Sequence, residues 1–286
     1  MFSIEPSAMS VEQFIDAALK EDIGAGDYTS LACIMEEATG NAVVKVKEDG
    51  IIAGLVLADQ IFNHVDSFIK VKVLVQEGAV VKSGEIVIAI EGRIRSILTA
   101  ERLVLNCMQR MSGIATITRK YVDRLDGLKT KILDTRKTTP NFRLFEKWAV
   151  KTGGGENHRF GLYDMILIKD NHVDACGGIE KAINAANDYL LKNNRNIPVE
   201  IETRTIQEVQ QVLKFGKVKR IMLDNFQLPL LKEAVTLINE RFETEASGGI
   251  TLDNVRHYAE CGVDYVSVGA LTHSYKSLDI SLKIVS

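Results

Sequence analysis

The 286-residue chain has no basic excess: 35 Lys and Arg stand against 38 Asp and Glu, a net charge of −3. A general nucleic-acid binder usually shows a basic surplus or tract, so no nucleic-acid partner is expected. Long apolar runs are missing too. The longest candidates, such as Ile86–Ile90, are strand-sized and far below the roughly 18 residues a membrane span needs. The opening MFSIEPSAMSVEQF has no basic patch followed by an apolar stretch, so no secretory signal is expected. Cys33, Cys107, Cys176 and Cys261 fit neither a metal knuckle nor a small secreted disulfide framework. Four reduced thiols in a cytoplasmic protein are the expectation. The histidines are equally dispersed. His158 and His172 are too far apart for an i, i+4 pair, and His64, His257 and His273 stand alone, so no zinc signature exists. The Gly153–Gly155 triplet lacks the Gly-Lys-Ser/Thr ending of a P-loop.

What is present is ordinary globular material, 46% hydrophobic and 26% charged, enough for one large domain or two modest ones. A helix over Val11–Lys20 precedes short β-branched runs at Ala42–Lys47, Ile51–Leu57, Val71–Val75 and Ile86–Ile90. The stretch VLVQEGAVVKSGEIVIAIEG resembles the hairpins of lipoyl and biotinyl carriers. Lys82, before Ser83-Gly84, lacks their flanking pattern, so a plain β scaffold is expected. A long helix follows over Thr99–Leu125, with Leu105, Met108, Met111, Ile114 and Ile117 on one stripe. Thr99 would cap it, which puts Arg102 in the first turn against the macrodipole; either plain solvation or an anion arriving there would explain the cation.

From residue 131 strands alternate with helices. The strands are Lys131–Thr135, Met165–Lys169, Val199–Thr203, Arg220–Asp224, Glu243–Ser247 and Tyr265–Gly269. The helices are Arg143–Lys151, Ile179–Lys192, Ile206–Phe215, Leu228–Arg241 and Leu252–Cys261. The pattern implies βαβ units and a parallel sheet. Six strands instead of eight predict an incomplete (β/α) barrel, with Ser277–Val285 returning to the first domain. The domains are then 1–114 with 275–286, and 115–274.

Barrel chemistry collects at the C-terminal strand ends. There the sequence places Thr135-Arg136-Lys137, Lys169-Asp170-Asn171-His172, Glu202, Asp224-Asn225, Ser247-Gly248-Gly249 and Gly269-Ala270. The loop Thr152–Gly155 presents His158 and Arg159. Arg102, Arg136, Lys137, Arg159, Lys169 and His158 against Glu202 and Asp224 predict a locally positive pocket for a polyanionic small molecule. The last two glycine turns suit a phosphate. Glu202 and Asp224 could meet Mg²⁺ through water or substrate oxygens.

Several motifs carry a family resemblance: EDIGAGDYTS, AERLVLNCMQRMSGIAT, ILDTRKTTP, KTGGGENHRFGLYDMILIKDNH, VEIET, IMLDNF, EASGGI and VDYVSVGALTHS. In this order they closely resemble quinolinate phosphoribosyltransferases. The resemblance implies an α/β fold, an N-terminal open α/β sandwich domain plus an incomplete barrel. It implies conversion of quinolinate and phosphoribosyl pyrophosphate to nicotinate mononucleotide, pyrophosphate and CO₂, on the way to NAD, with Mg²⁺ and no organic cofactor. It also implies a homo-oligomer whose sites are shared between subunits. Arg102 matches the arginine lent by a neighbour, and Arg136, His158 and Arg159 match the rest of the dicarboxylate clamp. Lys137 and Lys169 match the lysines meeting carboxylate and pyrophosphate, with Thr135 beside them. Glu202 and Asp224 match the acids at the ribose, so the catalytic set is Lys137, Lys169, Glu202 and Asp224. Ser247, Gly248, Gly249, Gly269, Ala270 and Leu271 match the 5′-phosphate loops. Asn141 stands where the family commonly has glycine. The alternatives are a nicotinate-using phosphoribosyltransferase, a paralogue of molybdate-transport operons, and a non-catalytic anion- or cofactor-binding module. Three arginines and His158 favour the diacid.

Overall fold

The computed structural model describes residues 9–285. They form two compact units. One comprises residues 9–117, 139–153 and 275–285, the other 118–138 and 154–274.

In the first unit four antiparallel strands run in the order Ile280–Val285, Thr39–Val46, Ile86–Arg93, Lys70–Val73. Thr39–Val46 buries Ala42, Val44 and Val46 alternately, the signature of a sheet with one covered face. The C-terminal segment pairs with this strand from Asn41↔Val285 to Val46↔Ile280, so it does return to the first unit.

Three expectations need correction here. The apolar run Ile51–Leu57 is not a strand. Only Gly50–Ile51 pairs, with Val80–Val81, and a helix begins at Leu55 and runs to Val65. Gly54 turns the chain at φ 89°, and the Glu77 carboxylate accepts from the Gly54 and Leu55 N–H groups at 2.5 and 2.9 Å. That distant carboxylate supplies the N-terminal satisfaction no local residue offers. The long helix starts at Ile94, not Thr99, and runs to Arg124. Arg102 therefore lies in the third turn, where the macrodipole no longer acts on it appreciably. The helix Arg143–Thr152, expected between barrel strands, falls within the first unit. Phe14, Phe142 and Phe145 cluster there, with centroids 4.6 to 5.4 Å apart. Arg110 Nε donates to the buried Glu146 at 3.0 Å. Asn141 takes φ 62°. Asn tolerates this left-handed region better than most residues, which accounts for its standing where glycine is common.

The second unit holds a six-stranded parallel sheet, in the order Lys131–Leu133, Tyr265–Ser267, Glu243–Ser247, Arg220–Asp224, Val199–Thr203, Ile166–Ile168. The first two strands in sequence lie at opposite edges of the sheet and do not pair. The barrel is thus incomplete, open between them. Along the central strands Ile201, Ile221, Leu223 and Ala246 are buried apolar residues. The alternate positions are mostly charged: Glu200–Arg220–Glu243 and Glu202–Met222–Glu245 stand in register across three strands. Barrel interiors are usually filled by branched apolar side chains, so this charged filling marks the unit.

Candidate active site

A cavity of about 870 Å³ opens at the C-terminal strand ends of the second unit. Thirteen of the residues expected from the sequence line it: Thr135, Arg136, Lys137, His158, Arg159, Lys169, Glu202, Asp224, Ser247, Gly248, Gly249, Gly269 and Ala270. Leu271 does not; it is fully buried. Arg102 is exposed on the long helix of the first unit and is not among the lining residues.

Each side chain has a local reason for its place. The Lys137 N–H donates to Thr135 Oγ1 at 3.0 Å, and its carbonyl accepts from Thr272 Oγ1 at 2.9 Å, so its backbone is fixed from both directions. The Lys169 N–H donates to His172 Nδ1 at 2.9 Å, and its ammonium lies 3.4 Å from Glu202. Burial first, and Asp224 in part, raise the Glu202 carboxyl, while Lys169 lowers it. Asp224 accepts from the Asn225 amide at 2.6 Å. The Asn225 backbone, at φ 55°, donates to the Ser247 carbonyl at 2.8 Å. Gly248, at φ 95°, packs so tightly on Asn225 that a Cβ would collide with Asn225 Oδ1. A Cβ on Gly269 would stand 3.0 Å from both His273 Nε2 and Lys137 Cδ. These two glycines keep the cavity edge as bare backbone, which suits close approach by an anion such as phosphate.

The charge inside is more mixed than expected. Arg136, Lys137, Arg159, Lys169 and His158 face Asp170, Glu202, Asp224 and Glu245. Burial, and then the neighbouring Arg136 guanidinium, hold Arg159 below the ordinary arginine range. Two guanidinium groups that line one cavity and feel each other's charge are an arrangement that suits an anion.

Sequence reasoning missed the groups beneath His158. Its Nε2 lies 3.1 Å from Glu200 and 3.4 Å from Glu245, both wholly buried. Arg220 reaches Glu245 at 2.9 Å and stacks on Tyr265 at 4.1 Å. Burial opposes a charge on His158, while the carboxylates of Glu200 and Glu245 beside Nε2 favour one and raise the imidazole above its ordinary range. The Arg159 amide, donating to Nδ1 at 2.7 Å, works against that cation, because a protonated Nδ1 has no lone pair to offer. Burial, with the charge of Glu245, pushes Glu200 up to about 7. His273 and Thr251 also line the cavity unforeseen. The available signals were the E-x-E spacing in VEIET and ETEAS and the polar end of GALTHS.

Comparisons with known proteins bear on the family and the fold. The model of the quinolinate phosphoribosyl transferase C-terminal domain matches residues 114–283, and that of the N-terminal domain residues 27–112. The Nicotiana tabacum quinolinate phosphoribosyltransferase [decarboxylating] 1b is 48% identical over 301 residues, covering 99% of this chain and 85% of the relative. A probable nicotinate-nucleotide pyrophosphorylase [carboxylating] of Bacillus subtilis is 41% identical over 276 residues, covering 96% and 94%. The crystal structure of NadC from Streptococcus pyogenes superposes with a TM-score of 0.92 at 38% identity, covering 100% of both chains. With both domain models matched over most of its length, the chain belongs to the quinolinate phosphoribosyltransferase family.

Proposed function

We infer that the chain is a decarboxylating quinolinate phosphoribosyltransferase of NAD biosynthesis, a pentosyltransferase acting on quinolinate and phosphoribosyl pyrophosphate. The single observation that carries the reading is the convergence of Arg136, Lys137, Arg159 and Lys169 on one cavity, beside the carboxylates Glu202 and Asp224 at the ends of the third and fourth barrel strands. An aromatic diacid neutralises the paired guanidinium groups, each fork meeting a carboxylate.

The chemistry follows from placement. Arg136 and Arg159 hold the pyridine diacid with its ring nitrogen facing the sugar. Ser247, Gly248, Gly249, Gly269 and Ala270 receive the 5′-phosphate through backbone N–H groups. Glu202 and Asp224 take the ribose hydroxyls, and their negative charge favours the oxocarbenium character that develops as the C–O bond to pyrophosphate breaks. Lys137 and Lys169 meet the charge that grows on the departing oxygens. Nitrogen becomes positive as it bonds to the anomeric carbon, and it draws electrons from the adjacent ring carbon; the carboxylate there leaves as CO₂, its bonding pair stays on that carbon, and a proton from solvent takes its place. The attack needs no general base. Most of the protein's task is holding together two anions that repel each other.

Glu202 and Asp224 also fit Mg²⁺. They are hard oxygen donors close enough for Asp224 to raise Glu202, a like-charge tension that a hydrated cation relieves. The ion would neutralise pyrophosphate oxygens. The reading includes a homo-oligomer in which Arg102 serves a neighbouring copy's site. It also includes a cytoplasmic location, supported by four free cysteines; some plant relatives are named mitochondrial or chloroplastic. No described helix is long and apolar enough to cross a membrane.

The test is turnover with phosphoribosyl pyrophosphate, Mg²⁺ and either quinolinate or nicotinate. CO₂ release from quinolinate without turnover of nicotinate is expected. Turnover of nicotinate alone, or of neither acid, overturns the reading.

A further inference from the structure

His158 faces the cavity, but both of its ring nitrogens are engaged within the protein. Nδ1 accepts the Arg159 N–H at 2.7 Å, which places the ring proton on Nε2, and Nε2 faces Glu200 and Glu245 at 3.1 and 3.4 Å. The His158 N–H in turn donates to the buried Asp134 at 2.9 Å. The ring is therefore a link between the strand interior and the backbone of Arg159. Arg159 itself is anchored further out, where its guanidinium donates to the Met165 carbonyl at 3.3 Å. On the inner side the link ends on two wholly buried carboxylates from the third and fifth barrel strands. Arg220, from the strand between them, lies 2.9 Å from Glu245 and 3.9 Å from Glu200.

His158, Glu200 and Glu245 lie close enough together to be considered as metal ligands. Arg220 argues against that use. Its guanidinium already lies 2.9 Å from Glu245 and 3.9 Å from Glu200, and so takes up carboxylate oxygens that a metal ion would need. The same four groups make good sense as a fixed scaffold. Carboxylates commonly orient a histidine through one ring nitrogen so that the other presents a defined direction. Here the nitrogen so directed meets a backbone amide, not a ligand.

We propose that Glu245 and Glu200 are positioning residues for the diacid end of the cavity, acting through the His158 ring to fix Arg159. This deepens the proposed function and rests on it for the identity of the diacid. Removing the negative charge from Glu245 loosens the ring, and with it the Arg159 backbone, while Lys137, Lys169, Glu202 and the glycine turns keep their own supports.

The experiment compares the full-length enzyme with E245Q, E245D and E200Q. For E245Q the KM for quinolinate should rise about tenfold or more, with KM for phosphoribosyl pyrophosphate and kcat each changed less than about threefold. E245D, which keeps the charge, should recover part of the loss, and E200Q should behave as a milder E245Q. Proton–nitrogen NMR of the histidine rings gives a readout without any substrate: the His158 Nε2 and Nδ1 signals should shift in E245Q, and the Arg159 amide with them. Equal damage to both substrates together with a lowered Tm would mean a merely structural role and overturn the proposal. Unchanged His158 and Arg159 signals would overturn it too, even if wild-type enzyme proved to use another acid. If E245Q fails to fold, E200Q and the NMR comparison on it decide the matter by the same criteria.

Discussion

Gly248 turns at φ 95° with no room for a Cβ against Asn225, and that constraint predicts a sharp residue-level effect. Gly248→Ala should cost on the order of 1–3 kcal/mol of stability, the usual scale for a non-glycine residue forced into a strained backbone. It should also raise the KM for phosphoribosyl pyrophosphate, because the loop must move to relieve the clash. Urea unfolding and substrate kinetics measure the two effects; an unchanged KM would remove Gly248 from the phosphate loop. Such turns are legible in sequence, since Gly-Gly directly after a strand has few other uses. The carboxylates beneath His158 are not. Glu200 and Glu245 sit in mid-strand, where a scan of strand ends never looks. Their partners come from three other segments, Asn157–Arg159 and the fourth and sixth strands, that only the folded sheet brings together.

Among the elements, Asp66 shows how one side chain ties several together. It closes the helix Leu55–Val65, accepts from Arg93 Nε and Ser96 Oγ at 2.7 Å each, and accepts from the Phe68 N–H at 3.1 Å. It thereby joins that helix to the end of the strand Ile86–Arg93 and the start of the helix Ile94–Arg124. The Arg93 hydrogen bond above all, and then those of Ser96 and Phe68, hold the Asp66 carboxyl well below the usual carboxylate range against burial. The sign follows. A carboxyl depressed in the fold stabilises it above its unfolded pKa of about 3.9 and loses that contribution as pH falls further. Asp66→Asn should cost about 1–3 kcal/mol at neutral pH, and the gap to wild type should close progressively below about pH 4. Denaturant curves across pH check it, and a gap independent of pH would point to packing instead of charge. The strands of the second unit could be read from sequence because they alternate with helical patterns and end in polar or glycine turns. The helix Leu55–Val65 could not, since IIAGLVLA is apolar without a clear period and its cap comes from Glu77, over twenty residues away. The start at Ile94 was hidden for a similar reason: strand runs into helix there with no capping residue to mark the change.

For the whole molecule, the question is where the third arginine of a diacid site comes from. The cavity's own wall supplies Arg136 and Arg159. Arg102 is exposed on a helix of the other unit and does not line it. If a neighbouring copy receives Arg102, the lesion it causes is separable from a lesion in the receiving cavity. Arg102→Ala should fold normally, since the side chain is exposed, yet lose most quinolinate turnover. Lys169→Ala should be inactive for its own reason. Mixed and allowed to exchange, the two inactive proteins should form heterodimers in which one site lacks both groups and the other has both. Random exchange of equal amounts makes half the dimers mixed and so restores about a quarter of all sites. Activity near that level, appearing only after exchange, supports the shared site. Exchange verified by mass spectrometry with no recovered turnover would show that Arg102 acts within its own chain, and full activity of Arg102→Ala alone would show that it has no part in the reaction.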